Sequence, residues 1–336
     1  MKKKIPRLTA NFESLVLDNG YYVDKTEFIQ KLEGLNFPNL FFLRPRRFGK
    51  SLTLSMLEYY YGIQHKDKFD DLFGQYYIGQ PGNSTPLKNS YYILNFSFSG
   101  IGTDIRDEIK KKFEVEIRTA LQSFLYKYDI GREQEIYEFL SVTGSSELLR
   151  NFVMLFRKYR PEGKIYLLID EYDHFTNELF SFDTGHFKDI VSRNGWVRKF
   201  YEVIKQFMGE GIIDRFFATG VTPVTLDSMT SGFNVAKNIT LNSDFHNMAG
   251  FTESELRGML VNTVYEEGKF DIDTVVSDMR SWYNGSKFSA DATERLYNPQ
   301  MVISFLSEFG RNWKYPVEMA DINVTSDYKK ISNILA

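Results

Sequence analysis

Leu40-Phe41-Phe42-Leu43-Arg44-Pro45-Arg46-Arg47-Phe48-Gly49-Lys50-Ser51 decides how the rest of this chain is read. An apolar run, a basic turn ending in Gly-Lys-Ser, and the helical pattern Leu52-Thr53-Leu54-Ser55-Met56-Leu57-Glu58 follow one another. Strand, glycine-containing loop and helix in this order make a phosphate cradle. The loop amides and the helix N-terminus point at an anion, the lysine neutralises phosphate oxygens, and the serine hydroxyl coordinates Mg²⁺. The usual pattern places glycine where this chain has Arg44. The residues Pro45, Arg46, Arg47, Phe48, Gly49, Lys50, Ser51 and Leu52 are the candidate nucleotide contacts. An ordinary strand–turn–helix with a basic turn would use the same residues.

A second run, Lys164-Ile165-Tyr166-Leu167-Leu168-Ile169-Asp170-Glu171, is apolar throughout and ends in two acids. An uninterrupted apolar strand implies burial on both faces, as in a parallel sheet covered by helices. Acids at its C-terminal end lie where such sheets bind ligands. In P-loop ATPases the first acid holds Mg²⁺ and the second orients the attacking water, so Asp170 joins Ser51 as a candidate metal ligand and Glu171 is the candidate catalytic base. Either Asp170 or Asp173 would equally suit a helix cap. Taken together, the two motifs favour nucleotide chemistry.

Ile212-Ile213-Asp214-Arg215-Phe216-Phe217-Ala218-Thr219-Gly220 reads as a third buried strand with a polar end. A strand between those of the first two motifs often carries a γ-phosphate sensor, so Thr219, with Thr222 as the other option, is a candidate catalytic residue. Tyr91–Phe96 and Lys237–Leu241 complete five expected strands. The fold class expected is α/β: a three-layer P-loop NTPase core with a mainly parallel sheet, a helical insertion between Asp104 and Arg160, and a smaller helical C-terminal lid.

With Tyr21-Tyr22-Val23-Asp24-Lys25-Thr26, Leu168-Ile169-Asp170-Glu171-Tyr172-Asp173, Thr219-Gly220-Val221-Thr222-Pro223, Thr230-Ser231-Gly232-Phe233-Asn234, Trp282-Tyr283-Asn284-Gly285 and Leu296-Tyr297-Asn298-Pro299, the chain resembles the predicted AAA-ATPase-like family of bacterial proteins, related to STAND and archaeal-type P-loop ATPases. In that family an Arg-Pro-Arg-Arg-Phe-Gly-Lys-Ser loop is the usual form, so the resemblance makes Arg44 expected. It implies ATP and Mg²⁺ as ligands and a C-terminal lid in which Arg257 is a candidate phosphate-sensing arginine, a surface position being the alternative. In related ATPases a motif before the first strand contacts adenine, which makes Tyr22, Val23 and Lys25 candidates. Helix capping and packing explain the same residues, with Asp24 as the cap. Members commonly continue into a C-terminal PD-(D/E)XK nuclease-like domain. No Asp…Glu-x-Lys core is present here, and Glu202-Val203-Ile204-Lys205 has the wrong spacing. That domain is expected to be missing.

Composition sets outer limits. The 336 residues carry 41 basic and 44 acidic side chains, a formal net charge of −3. This gives no global electrostatic case for nucleic acid, which is expected to be engaged only indirectly. Without cysteine there is no disulfide, thiolate nucleophile or thiolate metal site. The histidines at 65, 174, 186 and 246 lack metal-ligand spacing, and His174 lies just beyond Glu171. Lys2-Lys3-Lys4 has no apolar segment after it, and no run has membrane-spanning length, so a cytoplasmic protein without membrane contact is expected. The organisation expected is an N-terminal lead-in (1–38), the ATPase core (39–249), a helical lid (250–313) opened by the capping box Thr252…Glu255, and a linker (314–336) toward a missing domain. The function expected is ATP binding with Mg²⁺-dependent hydrolysis, acting as a nucleotide-gated switch for an effector domain, a protein partner or another protomer of a homo-oligomer. No arginine finger is evident in cis. The alternatives are a nucleotide-binding scaffold with little turnover and the regulatory ATPase half of a nucleic-acid-targeting nuclease or defence protein.

Overall fold

Five parallel strands in the order β2-β3-β4-β1-β5 form the centre of the molecule. The computed structural model describes residues 2–192, 194–229 and 233–319, without the side chains of 227–229. Thr230-Ser231-Gly232, part of one of the resemblance stretches, therefore lies outside the described residues, as does most of the expected linker.

The chain enters through α1 (Phe12–Leu17) and α2 (Glu27–Gly34), then runs β1 (Asn39–Leu43), α3 (Lys50–Tyr61), α4 (Phe69–Phe73) and β2 (Tyr92–Ser97). Three helices, α5 (Arg106–Lys127), α6 (Glu133–Ser141) and α7 (Ser145–Tyr159), lead to β3 (Ile165–Asp170). The expected insertion is thus the crossover that two adjacent parallel strands require. Then follow α8 (His174–Phe182), α9 (Thr184–Val191), α10 (Trp196–Gly209), β4 (Ile213–Gly220), α11 (Val224–Met229) and β5 (Lys237–Asn238). The C-terminal part comprises α12 (Glu253–Thr263), α13 (Ile272–Tyr283), the antiparallel pair β6 (Asn284–Ser286) and β7 (Leu296–Tyr297), and α14 (Pro299–Asn312).

The apolar strand runs acquire two faces once the period of two is applied. Phe41, Leu43, Ile165, Leu167, Ile169, Phe216 and Ala218 enter one core with residues of α5, α7 and α10. Leu40, Phe42, Tyr166, Leu168 and Phe217 enter a second core with residues of α1, α2, α3 and α4. Helices on both faces make three layers, and the central strands β1, β3 and β4 are buried on both sides, which is why their sequences do not alternate. The many phenylalanines and tyrosines are spent largely here, as edge-to-face and tilted ring pairs such as Phe41–Phe216 and Tyr61–Tyr166. Residues of α12, α13 and α14 share a third core, which Val23 joins from the N-terminal segment.

Two local expectations change in detail. The fifth strand stops at Asn238, because the Thr240 hydroxyl, not a backbone carbonyl, accepts the Leu43 amide (2.9 Å). Asp24 does not cap α2. Thr26 occupies the N-cap position, and Asp24 accepts from the Thr26 amide and hydroxyl and from the Tyr77 amide, an Asx-type turn that anchors the helix start to a neighbouring loop. The Thr252–Glu255 capping box forms as read, and Asn298 caps α14 ahead of Pro299 at its first turn.

Candidate functional site

Because β1, β3 and β4 are parallel and β4 lies between the other two, their C-terminal ends converge. In register Phe42 faces Thr219 and Ile169 faces Ala218, so Asp170 and Thr219 come side by side. The Thr219 hydroxyl donates to Asp170 Oδ1 (2.6 Å), and the Ser51 hydroxyl donates to Asp170 Oδ2 (2.5 Å). Three residues from three separate sequence motifs, Ser51 and Asp170 being 119 positions apart, thus meet on one carboxylate. Thr222 is turned elsewhere, its hydroxyl donating to Asn177 Oδ1 (2.6 Å).

The loop between β1 and α3 is built by backbone geometry. Gly49 has φ 91° as it enters α3, and Arg47 has φ 66°. Glycine takes the left-handed region without a Cβ penalty; at Arg47 the conformation costs about 1–2 kcal/mol. Lys50 is 5% exposed, and its Nζ donates to the Pro45 carbonyl (3.1 Å). An ammonium has three donors, so capacity for phosphate oxygens remains. Burial pulls the Lys50 pKa below the ordinary lysine value, and the charges of Glu171, Asp170 and Asp173 oppose that shift. Glu171 follows the strand with φ 52°, and its carboxylate lies 3.4 Å from His174 Nδ1. The Arg46 guanidinium reaches the same ring nitrogen (3.3 Å).

A cleft of about 290 Å³ opens over the loop. It is lined by Arg47, Phe48, Gly49, Lys50, Ser51, Leu52 and Glu171, by Pro6–Ala10 and Tyr21–Val23 of the N-terminal segment, and by Gly250, Phe251, Pro299, Gln300 and Ile303 of the C-terminal part. Pro45 and Arg46 are outside this lining. Of the adenine candidates, Tyr22, Val23 and Lys25 all border the cleft. Lys25 is also committed to structure, donating to Glu255 Oε1 (2.6 Å) and to the Asn247 carbonyl (2.7 Å). Arg257 is not in the cleft; it pairs with Asp273 (2.6 Å) and Glu253 (3.5 Å) on the surface of the C-terminal helices.

Arg44, the departure from the usual glycine pattern, points away from the cradle. It is 1% exposed and donates to the carbonyls of Leu43, Thr240, Phe245 and His246 at 2.8–3.2 Å. Its Cζ lies 4.3 Å from the Phe42 ring centre and 4.1 Å from that of Phe288. Burial lowers its pKa to about 9, so it remains charged at neutral pH. The first position of this loop thus serves as an anchor. Phe48 also faces inward, fully buried, edge-to-face with Phe288 (5.3 Å). A Cβ on Gly250 would come within 3.2 Å of the Phe48 ring.

Asp173 was legible only as a possible cap. It sits at the N-cap position of α8, but its buried carboxylate accepts from the Val221 and Thr222 amides and from Asn177. Burial raises its pKa, and those three groups act to lower it. With the Tyr172 hydroxyl donating to the Thr222 carbonyl (2.6 Å), it clips the turn after β4 to the turn after β3. Its only sequence signal was being the third acid of Asp170-Glu171-Tyr172-Asp173.

Ser51 and Asp170 offer hard oxygen donors suited to Mg²⁺, which keeps waters and phosphate oxygens in its shell. Among the described residues, no three His, Cys, Asp or Glu side chains converge on one point, and no helix is long and apolar enough to cross a membrane.

Sheet order, phosphate-type loop and paired acids define an α/β protein with a P-loop NTPase-like core. The predicted AAA-ATPase family matches residues 6–230, and the chain belongs to that family. It is similar, at 26% identity over 312 residues, to an uncharacterised protein encoded in the vnfD 5′ region of Azotobacter chroococcum mcd 1. That alignment covers 89% of this chain and 51% of the relative, so the chain spans about half the length of the curated relative it matches.

Proposed function

We propose that this chain binds ATP with Mg²⁺ in the cleft over Gly49-Lys50-Ser51 and hydrolyses it, with residues 250–313 acting as a lid that reports the nucleotide state to an effector or partner in the cytoplasm. The observation that carries the reading is the meeting of Ser51 and Thr219 on Asp170 beside the buried Lys50.

The residues divide the chemistry. Loop amides from Arg47 to Ser51 and the N-terminus of α3 bind phosphate oxygens. Lys50, held in a desolvated position, offsets charge on the transferring phosphoryl group. Ser51 and Asp170 would hold Mg²⁺, which supplies charge neutralisation at the β- and γ-phosphate oxygens when bound. Thr219 orients Asp170. Glu171 accepts a proton from water as its oxygen bonds to the γ-phosphorus and the bond to the ADP oxygen breaks. Tyr22, Val23 and the segment Pro6–Ala10 form the side of the cleft suited to a base.

The test is thermal stability of wild type and Lys50→Ala with and without Mg-ATP. Ligand at about 1,000 times its dissociation constant stabilises a single-site protein by ~4 kcal/mol. Wild type is expected to shift and Lys50→Ala not to. No shift of wild type at saturating nucleotide removes the reading. Glu171→Gln separates hydrolysis from scaffolding: it is expected to keep the ATP-induced shift and lose phosphate release, whereas a binding scaffold would be indifferent to it.

A further inference from the structure

His174 opens α8 three residues after Glu171, with its side chain 19% exposed. Its Nδ1 lies 3.3 Å from Arg46 Nη2 and 3.4 Å from Glu171 Oε2. Its Nε2 lies 3.8 Å from Glu178 Oε1, and the other Glu178 oxygen accepts from the Thr103 hydroxyl (2.7 Å). Thr103 belongs to the turn after β2, so the ring stands between that turn, the phosphate loop and the end of β3.

An imidazole nitrogen carries a lone pair or a proton, not both. The guanidinium of Arg46 has only donors and needs the lone pair of Nδ1. The carboxylate of Glu171 has only acceptors and needs a proton there. One ring atom therefore faces two partners with opposite requirements, one from the phosphate loop and the other the residue that would activate water. They compete for it.

We propose that His174 is the positioning residue for Glu171 and that Arg46 controls when it acts. This rests on the hydrolysis reading above. While Arg46 occupies Nδ1, the carboxylate of Glu171 has no donor from the ring. Phosphate in the cradle draws the Arg46 guanidinium toward its oxygens. Nδ1 then faces Glu171 alone, and the ring form with Nδ1–H is the one that holds the Glu171 carboxylate in one orientation, with Glu178 facing the opposite side of the ring. Contacts of 3.3–3.4 Å are the loose geometry that such bonds show before substrate is present. The left-handed backbone at Glu171 (φ 52°) is a second sign that its direction is imposed by the surroundings.

The experiment compares His174→Ala and His174→Asn with wild type as full chains, measuring phosphate release, ATP affinity by calorimetry and the melting midpoint. Asparagine can present either an amide N–H or a carbonyl near the position of Nδ1, so it serves either partner; alanine serves neither. His174→Ala is expected to lower kcat on the order of tenfold to a hundredfold, with the ATP dissociation constant within about twofold of wild type. His174→Asn is expected to recover most of the loss. The proposal is overturned if His174→Ala keeps wild-type kcat, or if its kcat loss is matched by weaker ATP binding or a lower melting midpoint. It is also overturned if His174→Asn, with normal affinity and melting, is as slow as alanine. A wild type that binds ATP without phosphate release removes the hydrolysis reading itself and this inference with it. A wild type that turns over normally beside an unaffected His174→Ala removes the inference alone.

Discussion

Replacing Arg44 with glycine restores the usual phosphate-loop pattern, and the structure says that it harms the protein. The guanidinium satisfies four carbonyl oxygens, those of Leu43, Thr240, Phe245 and His246. A hydrogen bond to a charged group contributes about 1.5–3 kcal/mol, and a buried acceptor left bare costs about 1–3 kcal/mol. Two aromatic rings also lose a cation within 4.1–4.3 Å, and a glycine there adds about 0.5–1 kcal/mol of backbone entropy. The removed charge no longer has to be desolvated, which offsets part of the loss. Stranding two or more of the four buried acceptors at about 1–3 kcal/mol each, less the recovered desolvation of the charge, puts the net loss on the order of 3–5 kcal/mol. With an unfolding entropy of about 2.1 cal/mol/K per residue, 336 residues give about 0.7 kcal/mol/K, so the midpoint should fall by roughly 4–7 °C. Scanning calorimetry of wild type and Arg44→Gly, with Arg44→Lys as a control, measures it. Lysine keeps the charge but not the planar fork that serves several carbonyls together, so it should fall between the two. A glycine variant melting within about 1 °C of wild type would refute the anchoring account, since that shift converts to well under the 3–5 kcal/mol expected.

Three further outcomes follow from the same geometry. Phe288→Ala removes the ring that touches both Arg44 and Phe48; it should cost about 1–3 kcal/mol, read as a lower melting midpoint together with faster tryptic cleavage of 284–297. Asp173→Ala strands the Val221 and Thr222 amides and should destabilise by about 2–4 kcal/mol, with phosphate release falling in step as the turn beside Thr219 loosens; an unchanged midpoint in urea contradicts this. His65 lies against Tyr59 with the two rings tilted (centres 4.2 Å apart), and burial lowers its pKa to about 4. The unfolded chain, with an ordinary histidine, binds more protons between about pH 4 and 6.5, so stability falls as pH drops through that window. His65→Gln should flatten that part of the stability profile, and an identical slope in both proteins would dispose of the assignment.

The central strands β1, β3 and β4 were readable because each is buried on both faces and so leaves an apolar run, and the residues at their ends named Lys50, Ser51, Asp170, Glu171 and Thr219. What could not be read were side-chain partners set by tertiary arrangement. Lys25 and Glu255 are 230 positions apart, and neither carries a periodic signal. Glu255 was legible as half of a capping box, and the box does form, but the same carboxylate also takes Lys25. Apart from the family resemblance, Arg44 was legible only as a missing glycine. Its true partners are backbone carbonyls, which have no sequence identity and hence leave no trace in a motif. The same holds for Asp173, whose acceptors meet backbone amides across two turns.

This division has a mechanical consequence. The phosphate loop contains both residues that line the cleft and residues that grip the protein behind it. Lys50 and Ser51 line the cleft, while Arg44 and Phe48 are held from behind, and both meet Phe288 in the segment between β6 and β7. The N-terminal segment adds a second tie to the same C-terminal module through Lys25 and Glu255, and Lys25 borders the cleft. A shift of the loop on binding phosphate would therefore be felt at Phe288 without any nucleotide contact from Arg257, which is spent on Asp273 and Glu253. If the C-terminal helices do respond to nucleotide, the route runs through the back of the loop. Phe288→Ala should then uncouple lid protection from ATP binding, whereas Arg257→Ala should leave both intact.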